Sequence, residues 1–290
     1  MHYITAKGIL SARNGMNLYR GCQHGCIYCD SRSRCYQMDH AFEDIAVKEN
    51  ALELLESALK SRRRPCMIGT GAMTDPYMPL ERQLGLTRKA LELIGHYGFG
   101  ATVLTKSPDI LGDLDVLEAI NRKTKAVVQM TLTTADDTLC RILEPNVAPT
   151  SDRLAALHQL HSRGIPTVVW LCPILPFIND TQENIRTLVE ACAEAGVKGI
   201  IQFGMGLTLR EGNREYFYQA LDQHFPGLKQ QYIHTYGNAY NLPSPQEKVL
   251  LSLFHHLCDQ AGIWHDNQRI FEYLNTFETK EQMEQLSLFP

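Results

Sequence analysis

The sequence predicts an α/β fold whose sheet is parallel. Three observations carry this expectation. Strand-like segments rich in Val, Ile and Thr alternate with helical segments six times between about residue 19 and residue 203. Each helical segment is long enough to serve as the crossover that parallel strands require. The alternation stops near residue 210, and beyond it the periodicity is helical. Crossovers in such a fold are right-handed. Pattern alone leaves an open doubly wound sheet and a barrel equally available.

The elements follow in order. Tyr19 sits in a short first strand that leads into a cysteine-rich loop. Val47, Ala51, Leu54, Leu55, Ala58 and Leu59 recur at helical spacing, and Pro65 stops that helix. The basic run from Lys60 to Arg64 ends it as a solvated, dipole-compatible cap. Residues 66–70 read as a buried strand, and Leu86, Ala90, Leu93, Ile94 and Tyr97 mark the next helix. Residues 100–106 are strand three, residues 108–120 a helix, and residues 126–134 strand four. A long connection through Glu144 and Pro145 reaches a helix carrying Leu154, Leu157 and Leu160. Residues 167–172 form strand five; Ile185, Leu188, Val189 and Cys192 mark helix five; residues 199–203 form strand six. Further helices are expected over residues 213–225, from about 228, over 246–259 and over 263–277.

The chemistry concentrates in one stretch. Cys22, Cys26 and Cys29 stand at Cys-x3-Cys-x2-Cys spacing, with Gly21 before the first, Gly25 in the first gap and Tyr28 before the last. Three thiolates on one tight loop can hold three corners of an iron–sulfur cubane, which ordinarily takes four cysteines. The fourth iron then keeps an open position, where substrate chemistry occurs at metal sites. Zinc motifs instead pair Cys-x2-Cys with a second pair further on. The plain alternative is a structural metal knuckle or three unrelated core cysteines.

This motif resembles that of the radical S-adenosylmethionine (radical SAM) superfamily. The resemblance implies a partial (βα)6 barrel of the TIM type, with the cluster in the loop after strand one and functional groups at the carboxyl ends of the strands. It implies a [4Fe–4S] cluster and SAM as cofactors, with reductive cleavage of SAM to a 5′-deoxyadenosyl radical that abstracts hydrogen. It also implies an electron donor such as flavodoxin or ferredoxin. Three further patterns are similar to one branch, the spore-photoproduct-lyase-like proteins: Thr-Asp-Pro-Tyr-x-Pro-x-Glu at 74–81, Thr-Lys-Ser at 105–107, and Glu144-Pro145 followed by Arg153. By this resemblance Thr74 and Asp75 receive the ammonium of SAM, Lys106 its carboxylate, Thr131 its ribose or carboxylate, and Tyr28 packs near the adenine. The plain readings are an Asp-Pro turn for Asp75 and a surface lysine for Lys106.

The sequence departs from that branch at two places. Ala72 stands where a hydrogen-donating cysteine precedes the Thr-Asp pair, and Asp30 stands where a relay tyrosine follows the third cluster cysteine. Cys35 in the cluster loop is therefore the candidate hydrogen donor or redox thiol. Cys66, Cys140, Cys172, Cys192 and Cys258 read as small core residues, and His158, His161, His255 and His256 as surface or satisfied core residues.

Three regions are expected: a barrel core over 1–210, a helical extension over 211–277 closing the open side, and a flexible polar tail over 278–290. The tail carries Gln285, Leu286, Leu288 and Phe289, which resemble the peptide by which bacterial repair and replication proteins dock on the sliding clamp. The plain reading is that these apolar residues fold back on the barrel. With 28 basic against 32 acidic residues, a large sequence-independent nucleic-acid surface is disfavoured. An odd count of nine cysteines, widely scattered beyond Cys35, an apolar content short of any membrane span and an N-terminus without a signal-like run point to a reducing cytoplasm. The expected substrate class is damaged or modified nucleic acid. The alternatives are a protein, cofactor precursor or small molecule under the same chemistry, and a non-catalytic iron–sulfur protein that regulates or partners another.

Overall fold

A computed structural model describes residues 1–280. The alternation becomes a six-stranded sheet of β1 (Gly15–Met16), β2 (Met67–Thr70), β3 (Gly100–Thr105), β4 (Ala126–Thr131), β5 (Thr167–Trp170) and β6 (Gly199–Ile201), in that spatial order. Every pair is parallel. β1 and β6 do not pair with each other, so the barrel is partial and open along one side.

Between the strands run α1 (Ala51–Ser61), α2 (Leu86–His96), α3 (Leu114–Lys123), α4 (Thr150–Ser162) and α5 (Gln182–Glu194). Each presents one apolar stripe to the sheet: Ala51, Leu55 and Leu59 on α1, and Ile185, Leu188, Val189 and Cys192 on α5. The sheet answers from its outer face with Ala126, Val128 and Met130 of β4, all fully buried in the same core. Start signals act as their chemistry dictates. Thr181 accepts a hydrogen bond from the Asn184 N–H ahead of α5, and Ser107 accepts one from the Asp109 N–H.

Several local expectations are corrected. Tyr19 does not lie in the first barrel strand, which is Gly15–Met16. Tyr19–Arg20 pairs instead with Ala46–Lys48 in a small side sheet completed by His2–Ile4. Val47 thus belongs to a strand, and the helix after it starts at Ala51. The segment after β3 begins as a 3-10 turn over Pro108–Asp113. The connection before α4 holds a short helix, Asp137–Leu143, capped by Asp136. A hairpin of Gly206–Thr208 with Asn241–Pro243 also lies where only helices were expected.

The remaining helices divide in three. α6 (Asn213–His224) and α7 (Leu228–Tyr236) share an apolar cluster with Ile27 and Tyr28 of the cysteine loop, through Phe217 and Tyr232. α8 (Glu247–Ala261) joins the outer layer against α5. α9 (Asn267–Asn275) enters the barrel interior, where Ile270 and Leu274 pack on Val127, Val168 and Ile201. The described part of the expected tail is fastened rather than loose. Lys125 Nζ donates to the carbonyls of Tyr273 and Thr276 and to Glu278 Oε1, and the Lys280 N–H donates to the Lys123 carbonyl. Gln285, Leu286, Leu288 and Phe289 lie outside the described residues. No helix among the described residues is long and apolar enough to cross a membrane.

Candidate cofactor and substrate site

The cysteine loop follows β1 and is held at both ends. The Cys22 N–H donates to the Phe42 carbonyl at 3.1 Å, and the Ile27 N–H to the Leu143 carbonyl at 2.9 Å. Gly25 has φ of +70° with Pro145 packed beside it, so a side chain there would be both strained and crowded. Cys26 is buried, and Cys22 and Cys29 are half-buried. All three border one cavity of about 400 Å³ at the carboxyl ends of the strands.

Among the described residues only His2, His40 and Asp44 bring three ligating atoms within 4.8 Å of one another. The three thiols are thus not all within 4.8 Å of one another. They fit a cluster whose irons are separate. Burial pushes the Cys26 thiol well above its ordinary value, and burial followed by the Asp75 charge pushes Cys22 up to about 11. Thiolates at Cys22 and Cys26 are thus disfavoured on their own, and a cationic centre such as iron would offset that burial.

Facing the thiols are the ends of β2, β3 and β4. The Asp75 carboxylate accepts from Thr105 Oγ1 at 2.7 Å, the Lys106 N–H at 2.7 Å and the Tyr77 N–H at 2.9 Å, and His24 Nδ1 stands 3.4 Å away. Asp75 thus ties the β2 end to the β3 end. Thr74 Oγ1 donates to the Tyr19 carbonyl at 3.4 Å. The rest of the 74–81 pattern turns inward. Tyr77 donates to Asp113 Oδ2 at 2.8 Å, and Glu81 accepts from the Thr87 N–H at 2.6 Å and from the Tyr19 hydroxyl. Gly71 opens the turn with φ of +99°, and a Cβ there would sit 1.8 Å from the Leu104 carbonyl oxygen. Only glycine lets this backbone pass so close to β3.

Lys106, half-buried, holds its Nζ 5.9 Å from the centre of the Tyr28 ring. Burial disfavours its charge, yet the neighbouring Cys26, Glu144 and Asp75 outweigh that and raise it. Thr131 is buried at the end of β4 and borders the cavity. Tyr28 lies in the wall with its hydroxyl donated to Glu144.

The inner and outer rims are aromatic. Trp170 Nε1 donates to Gln129 Oε1 at 2.8 Å, and Gln129 Nε2 donates to Thr102 Oγ1 at 2.6 Å, a buried polar layer above the apolar plug of α9. Phe203, 60% exposed, lies 5.7 Å from Trp170 and stacks at 6.1 Å on Phe271.

Residues 16–189, more than half of the chain, match the family model described as the Radical SAM superfamily. The chain belongs to the radical SAM superfamily. It is a radical SAM enzyme, and a [4Fe–4S] cluster and SAM are its cofactors. An uncharacterized protein of Mycobacterium tuberculosis is 28% identical over 249 residues, which cover 83% of this chain and 72% of that one. A radical SAM Nα-GlyT isomerase of Pseudomonas phage M6 is 26% identical over 182 residues, covering 62% of this chain and 36% of the phage protein. In three dimensions the chain superposes on a spore photoproduct lyase variant with dinucleoside spore photoproduct at a TM-score of 0.67 and 16% identity, over 91% of this chain and 80% of that one. That likeness concerns the fold.

Cys22, Cys26, Cys29, Tyr28, Thr74, Asp75, Lys106 and Thr131, the residues expected at the site, all border one cavity. It leaves Cys35 out. That thiol is exposed, 3.7 Å from Arg210 Nη1, and does not border the cavity. Cys172, expected in the core, borders the cavity instead. Asp30 also reaches the wall, where it accepts from the Tyr36 hydroxyl at 2.9 Å and faces Arg210 Nε at 3.2 Å. His24, Trp170 and Phe203 had no signal of their own, because an apolar or loop segment does not announce which residue faces the interior.

Proposed function

We propose that this radical SAM enzyme abstracts hydrogen from a substrate carrying a planar base, in damaged or modified nucleic acid. The observation that carries the reading is the continuity of one cavity from the three thiols to the aromatic rim of Trp170 and Phe203. An exposed ring at a cavity mouth is a stacking surface for an unpaired base. The names of two similar proteins agree with that class: one is an Nα-GlyT isomerase of a phage, and the other was solved with a dinucleoside.

When bound, the cluster and SAM supply a 5′-deoxyadenosyl radical, and the protein's part is orientation and exclusion of water. Cys22, Cys26 and Cys29 would each hold one iron of the cluster. Lys106 offers the cation for the carboxylate of SAM, and the hydroxyls of Thr74 and Thr131 border the same volume. Asp75, its oxygens already engaged by three donors, holds Lys106 in place more than it receives the ammonium. Cys172 replaces Cys35 as the thiol presented to a bound substrate. A separate reductant such as flavodoxin or ferredoxin feeds the cluster, and a reducing cytoplasm suits both. Docking on a sliding clamp through Gln285, Leu286, Leu288 and Phe289 completes the reading, because it delivers the enzyme to DNA without a basic surface.

A small-molecule substrate is the second reading. It is favoured by the charges bordering the cavity, where Asp30, Asp75 and Glu247 face the single lysine Lys106. The test is anaerobic. Reconstituted protein with SAM and a reductant releases 5′-deoxyadenosine, and Cys26→Ala abolishes the release. Single-stranded oligonucleotides with modified bases raise the rate, and Phe203→Ala removes that stimulation. A cluster-loaded wild type that releases none overturns the enzymatic reading. Release that ignores every oligonucleotide moves the substrate to the small-molecule class.

A further inference from the structure

We infer that the buried ion pair Glu144–Arg153 is a positioning clamp that sets the cysteine loop against the end of β4. Both side chains are fully buried, and neither borders the cavity. An ion pair in that setting is a poor source of stability, since desolvation offsets the attraction and apolar residues of equal size do as well or better. Arg153 Nε is moreover buried without a partner.

What the pair does have is an address at each end. Glu144 accepts from the Tyr28 hydroxyl, on the residue between Ile27 and the third cluster cysteine. Arg153 Nη1 donates to the Thr131 carbonyl at 2.7 Å, and Nη2 reaches Cys140 Sγ at 2.8 Å. The backbone around Glu144 grips the same loop. The Ile27 N–H donates to the Leu143 carbonyl, the Asn146 N–H to the His24 carbonyl at 3.1 Å, and Asn146 Nδ2 to the Gln23 carbonyl at 2.8 Å. Residues 143–146 therefore hold positions 23, 24, 27 and 28 of the loop, while Arg153 holds position 131. The grip is itself braced, because Ser151 at the start of α4 donates through Oγ to Asp137 Oδ2 at 2.6 Å. The clamp fixes the separation between the thiols and the strand end that together enclose SAM. It rests on the SAM site proposed above and is independent of which substrate is used.

The test reads geometry as well as activity. Glu144→Gln leaves the Arg153 charge unpaired in the interior, and its folding is at risk. The double variant Glu144→Gln/Arg153→Met removes both charges, and Tyr28→Phe removes only the hydroxyl. In the double variant and in Tyr28→Phe, iron content stays at the wild-type level. SAM affinity measured by equilibrium dialysis falls about tenfold, the scale of one net hydrogen bond. Amide exchange across residues 22–29 speeds by about tenfold while β2 to β5 exchange as before, because only a local opening is eased. A double variant whose SAM affinity and loop exchange stay within about twofold of wild type overturns the inference, whether or not Glu144→Gln folds. Failure of oligonucleotide stimulation leaves these readouts untouched, so the two proposals fail separately.

Discussion

Cys172 stands in the cavity wall two residues beyond the end of β5, and burial pushes its thiol up to about 12. An acid held that far above its ordinary value stays protonated across the physiological range, so the wall presents S–H rather than a thiolate. The sign gives a pH prediction. The thiolate fraction of Cys172 grows about tenfold per pH unit and keeps growing to pH 10, whereas an ordinary thiol levels off near pH 9. Site-resolved alkylation by mass spectrometry checks this, and a plateau at Cys172 below pH 9.5 contradicts it. Single residues also show what was legible. The spacing of Cys22, Cys26 and Cys29 is itself chemistry, and it needs no fold to be read. Cys172 sits in a run, Thr167-Val-Val-Trp-Leu-Cys172, whose residues are equally at home facing helices or interior. Its exposure to the cavity follows from register, which a lone strand does not encode.

At the scale of elements, α9 is the part most readily misjudged. A helix near residues 263–277 was legible from its apolar spacing, but periodicity names a face and not the surface that face meets. The face carrying Ile270 and Leu274 meets the inner side of β4, β5 and β6, filling a partial barrel that would otherwise lack a floor. Phe271 then supports Trp170 at 6.0 Å, so the plug and the aromatic rim form one stack. Ile270→Ala removes a fully buried side chain and leaves a cavity, at a cost of about 2–5 kcal/mol. Urea titration followed by circular dichroism measures that loss. The first strand was missed for a complementary reason. Gly15–Met16 is only two residues long and carries no alternation, while Tyr19 and Val47 look like barrel and helix residues until they are seen paired in the side sheet.

Across the whole molecule the two ends of the barrel have different tasks. The carboxyl ends of the strands hold the cluster loop and the cavity, while the opposite end is closed by the chain's return from α9. Lys125, the residue before β4, is 2% exposed and donates to Tyr273 O at 2.7 Å, Thr276 O at 3.1 Å and Glu278 Oε1 at 2.7 Å. It also lies 3.7 Å from the centre of the Tyr273 ring. One cation thus joins a strand in mid-sequence to a segment nearly 150 positions later. Lys125→Met keeps most of the side chain's volume but leaves two carbonyls and a carboxylate without their donor, a cost of about 1–3 kcal/mol for each buried group that finds no water. The expected outcome is faster amide exchange in α9 and proteolytic nicking just beyond Asn275. Cluster loading and SAM affinity stay within about twofold of wild type, because β2, β3 and β4 hold that end through Asp75, Lys106 and the Glu144–Arg153 pair. A Lys125→Met protein that loses SAM binding while keeping its fold would show that the floor and the cofactor wall act as one unit.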